Sequence, residues 1–458
     1  MTDFRTQRDS LGDVSVPVDA LYGAQTQRAV DNFHISGIPM PGQFIASLGM
    51  IKAAAAGANA DLGLLDSALA EGIVAAAISV SQGKHHQHFP VDVFQTGSGT
   101  STNMNANEVI ATLAAQQLGM AVNPNDHVNC SQSSNDVIPT TIHVSAELAL
   151  EKSLLPALSD LTRAIAKRED SAAGLIKTGR THLMDAMPIS VAQELSGWRA
   201  QLSLGAQRIN NTRPQLQHLA QGGTAVGTGV NADPQFASLF CSHLNKQLNK
   251  DSEHLFQPAD NYFAAIASQD VAVALSGQLK SLATALLKIA NDLRWMNSGP
   301  LTGLADLRLK ALQPGSSIMP GKVNPVIPEA VAMAAAQVIG NDTTITVGGQ
   351  SGNFQLNVML PVIAHNLLQS ITLLTNSCRA LADNCIADFV IDTENIEASL
   401  ANNPILVTAL NTEIGYSAAA QIAKQAYAQK RPILEVAAEM TDIPMDRLLQ
   451  LLNPENLV

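Results

Sequence analysis

The chain has 458 residues, of which 46% are hydrophobic but only 4% aromatic, and its 27 basic and 39 acidic side chains leave a net charge of −12. That length allows two or three domains around a large core, and a mixture rich in alanine and leucine suits packed helices better than sheets. Acidic balance without a lysine- or arginine-rich run argues against nucleic acid or anionic membrane as partners, and an anionic substrate would need local positive groups.

Cys130, Cys241, Cys378 and Cys385 show no CxxC or Cys/His metal spacing and read as thiols of a reducing compartment. Residues 1–10 are charged and lack an apolar segment, and no apolar run approaches the ~18 residues of a membrane span. A cytoplasmic protein is expected.

In chain order, residues 1–40 read as irregular structure with a short hairpin. An alanine-rich helical stretch runs from about Gly42 to Gln82, interrupted near Gly63. The cluster His85, His86 and His88 has no acidic or thiol neighbour, so it reads as a solvated surface rather than a metal site. Gly97-Ser98-Gly99-Thr100 follows, with Asn105 to Glu108 a cap for a helix ending near Leu118. The third glycine of a dinucleotide fingerprint is missing, which excludes nucleotide binding here. The turn either caps a helix or receives a carboxylate through hydroxyl and N–H groups.

Asn123-Pro124-Asn125-Asp126-His127 is a turn. It precedes Ser131-Gln132-Ser133-Ser134-Asn135-Asp136, a second hydroxyl and amide cluster immediately ahead of a helix. An N-cap accounts for one of these residues but not four.

The middle of the chain is periodic. Leu154, Leu158, Leu161 and Ile165 form one apolar stripe, with a kink expected at Pro156. Leu195, Trp198, Leu202 and Ile209 form a second, and Leu360, Ile363, Leu367, Ile371 and Leu374 another. Leu275, Leu279, Leu282, Leu286, Ile289 and Leu293 keep a heptad seam for nearly three repeats. Long helices packed at shallow angles make a bundle. Small residues on other faces (Ala272, Ala274, Ala283, Ala285) suggest that those faces are buried against other subunits.

Gly179-Arg180-Thr181-His182-Leu183-Met184-Asp185-Ala186-Met187-Pro188 is a polar island, read as lying ahead of a proline-started helix. The fourth polar stretch is Gly315-Ser316-Ser317-Ile318-Met319-Pro320-Gly321-Lys322-Val323-Asn324-Pro325. Its glycines and prolines force a loop, and a serine beside a lysine and several N–H donors could act as a base. Local sequence separates neither Ser316 from Ser317 nor this reading from an ordinary polar loop. From Asp392 onward, shorter amphipathic helices such as 418–429 and 433–440 look like a small separate domain. The division expected is a mixed helical domain 1–135, a central helix bundle 136–391 and a C-terminal helical domain 392–458.

Together these stretches resemble the fumarase/aspartase superfamily over essentially the whole chain, with class II fumarate hydratases the nearest branch. Gly315–Asn324 matches the family's G-S-S-x-M-P-x-K-x-N loop, and the islands at Gly97, Ser131 and Gly179 look like its substrate-binding motifs. The resemblance implies an all-α, three-domain fold whose central helices assemble in a homotetramer into a core of twenty. It implies a fumarate hydratase of the tricarboxylic acid cycle, interconverting fumarate and L-malate without metal or organic cofactor. Each site would draw its islands from three subunits.

The roles implied are Ser316 as the base at C3, Lys322 and Asn324 gripping one carboxylate, and His182 paired with Glu329 to manage the proton of the water. Ser98, Thr100, Ser133, Ser134, Asn135 and Thr181 would bind the rest of the substrate. Asn123, Asn125 and Asp126 correspond to a secondary carboxylate site at the entrance. There Asn123 replaces a usual histidine, so the usual affinity is not expected. Met184 and Met187 replace the usual glutamine and threonine. The stretches at Asn123 and Pro325–Glu329 look more like aspartate ammonia-lyase, the competing enzyme. Aspartases carry glutamine in place of His182. Argininosuccinate and adenylosuccinate lyases share only the serine loop. A non-catalytic scaffold would have lost Ser316, Lys322 or His182, and all three are present.

Overall fold

A computed structural model describes residues 3–249 and 255–458. Helices dominate, and the strands among the described residues form only two-stranded ribbons. No described helix is long and apolar enough to cross a membrane. The expected hairpin near the N-terminus is Phe4–Asp9 paired antiparallel with Gly12–Pro17. The alanine-rich stretch divides into helices Gly42–Asp61 and Ser67–Ser81. Asp66 starts the second of these by accepting from the N–H groups of Ala68 and Leu69.

The chain divides into two compact units. One comprises Met1–Pro156, Gly205–Ala283 and Ala336–Thr375. In it the helix Gly42–Asp61 packs against Ser67–Ser81, Ser134–Ala149 and Phe236–Leu248. The other comprises Ala157–Leu204, Thr284–Ala335 and Asn376–Val458. Its C-terminal helices Asn411–Gln429, Ile433–Met440 and Met445–Leu452 close on a small core of Leu410, Ile422, Val436 and Leu448.

Four long helices, Val191–Leu216, Asp270–Met296, Val326–Gln350 and Leu360–Leu381, account for the periodic stretches. Every residue of the heptad seam from Leu275 to Leu293 is buried. At about 1.5–3 kcal/mol for each fully buried side chain, the seam contributes on the order of 10 kcal/mol of apolar burial.

Local expectations fail in four places, each for a physical reason. The helix expected to be capped at Asn105 begins at Thr100, after Gly99 turns through φ +73°. Its asparagines are helix-interior residues rather than caps, and their amide nitrogens donate to tertiary partners, as when Asn105 donates to the His88 carbonyl. No helix starts at Pro188. His182 and Leu183 both take positive φ, +55° and +61°, which makes a two-residue hairpin turn between strands Ile176–Thr181 and Met184–Ser190. The following helix starts at Val191. The irregularity expected at Pro156 is a π-helical turn, Leu150–Leu154, with the proline in the first turn of the helix Leu155–Ser171. Finally, Ala272 and Ala283 are buried within the chain itself, while Ala274 is exposed and Ala285 half-buried. Two of the four alanines therefore need no other subunit to cover them.

Candidate active site

Two of the polar islands meet. The Ser98 and Thr100 hydroxyls lie 2.8 Å apart, and Thr100 Oγ1 lies 2.7 Å from Ser134 Oγ. Thr100 opens the helix Thr100–Leu118 and Ser134 opens Ser134–Ala149, so two helix N-termini lie side by side. Both present positive dipole ends and rotatable hydroxyl donors, the combination that suits a carboxylate. Gly97 is required next to them, because a Cβ there would sit 1.9 Å from the Val358 carbonyl oxygen.

The second island is tied down from below. Ser133 and Asp136 form a capping box on the helix that follows. Asn135 donates from Nδ2 to the Ala225 carbonyl at 2.8 Å. Asp136 is fully buried, and its carboxylate accepts from the N–H groups of Ser133, Gly222 and Thr224 at 3.0, 3.0 and 2.9 Å. Burial pushes its carboxyl up to about 6, against the pull of those hydrogen bonds and of Lys52. In the entrance turn, Asn123 spends its side-chain oxygen on the N–H groups of Asn125 and Asp126, and His127 Nδ1 accepts from the Asn123 N–H.

The hairpin carrying Thr181 and His182 is clamped at its base. Arg180 donates twice to the buried Asp306 carboxylate, at 2.7 and 2.9 Å. Buried Lys177 reaches Asp306 at 2.7 Å and Glu194 at 2.9 Å. Burial alone would raise the Asp306 carboxyl, but Arg180 and Lys177 hold it below the usual carboxylate value. Asn403 adds a bond from the C-terminal segment, donating to the Ala186 carbonyl at 2.9 Å. Thr181 and His182 stand exposed at the tip. Among the described residues neither is hydrogen-bonded through its side chain, and His182 does not pair with Glu329.

The serine loop is closed at its base only. The Gly315 N–H donates to the Lys322 carbonyl at 2.9 Å, and Asn324 Nδ2 donates to the Gly315 carbonyl at 2.6 Å. A Cβ on Gly315 would sit 2.2 Å from the Lys322 oxygen, so only glycine fits. Lys322 Nζ donates to Asn324 Oδ1 at 2.6 Å. The two serines differ: Ser316 is half-buried and its Oγ accepts from the N–H groups of Ile318 and Met319 at 3.2 and 3.0 Å, whereas Ser317 is exposed. Lys322, Asn324 and Glu329 line a cleft of about 910 Å³, with Arg294, Arg308 and Lys310 among its other walls. Those are the local positive groups that an acidic protein needs for an anion.

Residues 12–340 match the model of the lyase family, and residues 406–458 match that of the fumarase C C-terminus. The class II fumarate hydratase 2 of Pseudomonas aeruginosa is 60% identical over 457 residues, covering 100% of this chain and 99% of that protein. The chain belongs to the class II fumarate hydratase family. The Xylella fastidiosa class II fumarate hydratase is 56% identical over 99% of this chain and 95% of its own length. The crystal structure of the class II fumarase from Schistosoma mansoni superposes with a TM-score of 0.96, at 39% identity and 99% coverage of both chains.

Against that family background, the sequence motifs located the residues at the surface of each island but not those that brace them. Asp306 and Lys177 lie in no recognisable motif, and neither do Lys52, Asn59 and Asn103. Their signal is visible only once the fold buries them: a charged or amide side chain fully enclosed must have partners.

Proposed function

We propose that the chain catalyses the reversible hydration of fumarate to L-malate. Starting from L-malate, Ser316 Oγ takes the proton from C3, leaving an aci-carboxylate with a second negative charge on the adjacent carboxyl group. The C2–O bond then breaks, and His182, oriented by Glu329, protonates the departing hydroxide. Lys322 and Asn324 neutralise the charged carboxylate, while Ser98, Thr100, Ser133, Ser134, Asn135 and Thr181 hold the substrate. Stabilising the aci form is the main electrostatic task, and preorganised donors achieve it without reorganisation.

The observation that carries this reading is the pair of N–H bonds accepted by Ser316 Oγ, which would stabilise the anionic oxygen that a serine base requires. Among the described residues Ser317 Oγ has no such donors, and it is not assigned the role. The two adjoining helix N-termini support binding of the other carboxylate. Four chains would form a homotetramer with a twenty-helix core, three of them contributing to each site. This supplies partners for His182, Thr181 and the exposed Ile318, Met319 and Val323 of the serine loop. Within that assembly the three-domain division 1–135, 136–391 and 392–458 is retained, and the enzyme works in the cytoplasm. Asn123, Asn125 and Asp126 form the entrance turn, with the Asn123 side-chain oxygen engaged in capping that turn.

The test is an assay of the purified protein with L-malate and with L-aspartate, following the ultraviolet absorbance of fumarate. Malate turnover unaffected by EDTA is expected. Turnover of aspartate but not malate would overturn the assignment.

A further inference from the structure

Lys52 is the most unusual polar residue outside the islands. It lies on the helix Gly42–Asp61, is 0% exposed, and has no carboxylate within ion-pair distance among the described residues. Its Nζ instead donates to Asn129 Oδ1 and Gln132 Oε1, both at 3.0 Å. Enclosing an ammonium is costly, and here two neutral amide oxygens rather than a carboxylate offset that cost.

What the two bonds secure is the turn that delivers the second island. Asn129 Oδ1 also accepts from Asn103 and Asn107, each at 3.1 Å, both on the helix Thr100–Leu118. Gln132 passes the constraint on, its Nε2 donating to the carbonyls of Val128 and Cys130 at 3.0 Å. Two helical turns beyond Lys52, on the same side of its helix, Asn59 is likewise fully buried. It donates to the Cys130 carbonyl at 2.9 Å and accepts from Ser131 Oγ at 2.7 Å. Ser131 itself takes φ +59°, an uncommon conformation for a non-glycine residue, and the bonds to Asn59 brace it. Ser133, Ser134 and Asn135 follow directly.

We infer that Lys52, assisted by Asn59, is a positioning residue: it locks the Asn129–Gln132 turn so that the hydroxyls and amide of residues 133–135 are fixed for a carboxylate before substrate arrives. The charged group facing it is Asp136, too far for an ion pair, which bonds to Ser133 and to the segment 222–224 instead. Burial lowers Lys52 to about 7. Its neutral amine keeps two N–H donors, enough for both bonds, so the lock holds on either side of that value. Because the turn binds substrate and takes no part in proton transfer, loosening it weakens binding of substrate and transition state together.

The inference rests on the proposed dicarboxylate site, and wild-type turnover of fumarate is the control on which that reading stands by itself. The experiment is steady-state kinetics of Lys52→Met in the intact oligomer. The expected result is a KM raised about tenfold or more with kcat within about threefold of wild type. A buried lysine that only stabilised the fold would lower the melting temperature and the active fraction, leaving KM unchanged in the molecules that fold. Unchanged KM, or a fall in kcat alone, overturns the proposal. Should Lys52→Met fail to fold, Gln132→Leu removes one of the two acceptors while keeping the lysine. It is expected to raise KM about threefold, and an unchanged KM there is equally fatal.

Discussion

The turn Asn129–Asp136 and the loop Gly315–Asn324 are both short, polar and rich in hydroxyls, yet they are held in opposite ways. In the turn the side chains of Asn129, Ser131, Gln132 and Asp136 reach partners on other elements: Lys52, Asn59, Asn103, Asn107 and the segment 222–224. In the loop the bonds are local, closing Gly315 onto Lys322 and Asn324, and Ile318 and Met319 are 83% and 50% exposed. A segment whose task is to recognise a carboxylate gains from being fixed beforehand. On the proposed assignment, the loop must admit substrate and then exclude water, which requires it to stay less anchored, with the Ser316 oxygen held by its own backbone.

The largest effect that sharpens this contrast comes from the loop. Ser316→Ala is expected to reduce kcat on the order of 10⁴-fold, about 5 kcal/mol, with the oligomer intact by size-exclusion chromatography. A nearly active variant would place the base elsewhere. Next comes the hairpin, which belongs with the anchored regions. Asp306→Ala leaves Lys177 and Arg180 without their shared buried carboxylate and is expected to cost about 3 kcal/mol of stability. Chemical denaturation measures it, and a loss below about 1 kcal/mol would mean that the clamp is unimportant.

Gly315→Ala should separate chemistry from stability. The added Cβ collides with the Lys322 carbonyl, so turnover is expected to fall about 10²-fold while the melting temperature moves by only about 2 °C. A large loss of stability would show that the loop is anchored as firmly as the turn.

The smallest effect is a pH slope in the anchored region. Lys52 titrates at about 7 when folded, against an ordinary value of 10.5. Between those limits the unfolded chain binds more protons, so this group's contribution to stability grows as pH rises and is lost as pH falls through 7. The stability of wild type relative to Lys52→Met is therefore expected to increase from pH 7 to 9, by up to about 1 kcal/mol per unit. A flat difference would contradict the burial of that amine. Asp136, raised to about 6, has the opposite slope on the acid side and stays outside this window.

Much of the architecture was legible from apolar spacing. The seam from Leu275 to Leu293, the break between Gly42–Asp61 and Ser67–Ser81, and the C-terminal helices follow from a 3.6-residue period with recognisable ends. Errors arose where local chemistry was ambiguous. Asn105 looked like a cap because asparagine usually is one, and the hairpin at His182-Leu183 was hidden because neither residue advertises a positive φ.

The sequence by itself determined which chemical groups are available: the serine pair, the lysine, the histidine and the hydroxyl clusters, each marked by side-chain type and by forced turns. Only the tertiary structure decided that Ser316 rather than Ser317 has two N–H donors on its oxygen, and that Thr100 and Ser134 touch across 34 positions of chain. It also decided that Lys52 lies sealed beneath the second island. Side-chain identity is a local property, whereas burial and hydrogen-bond partnership are set by segments distant in sequence, and it is burial that gives a lone lysine or asparagine its consequence.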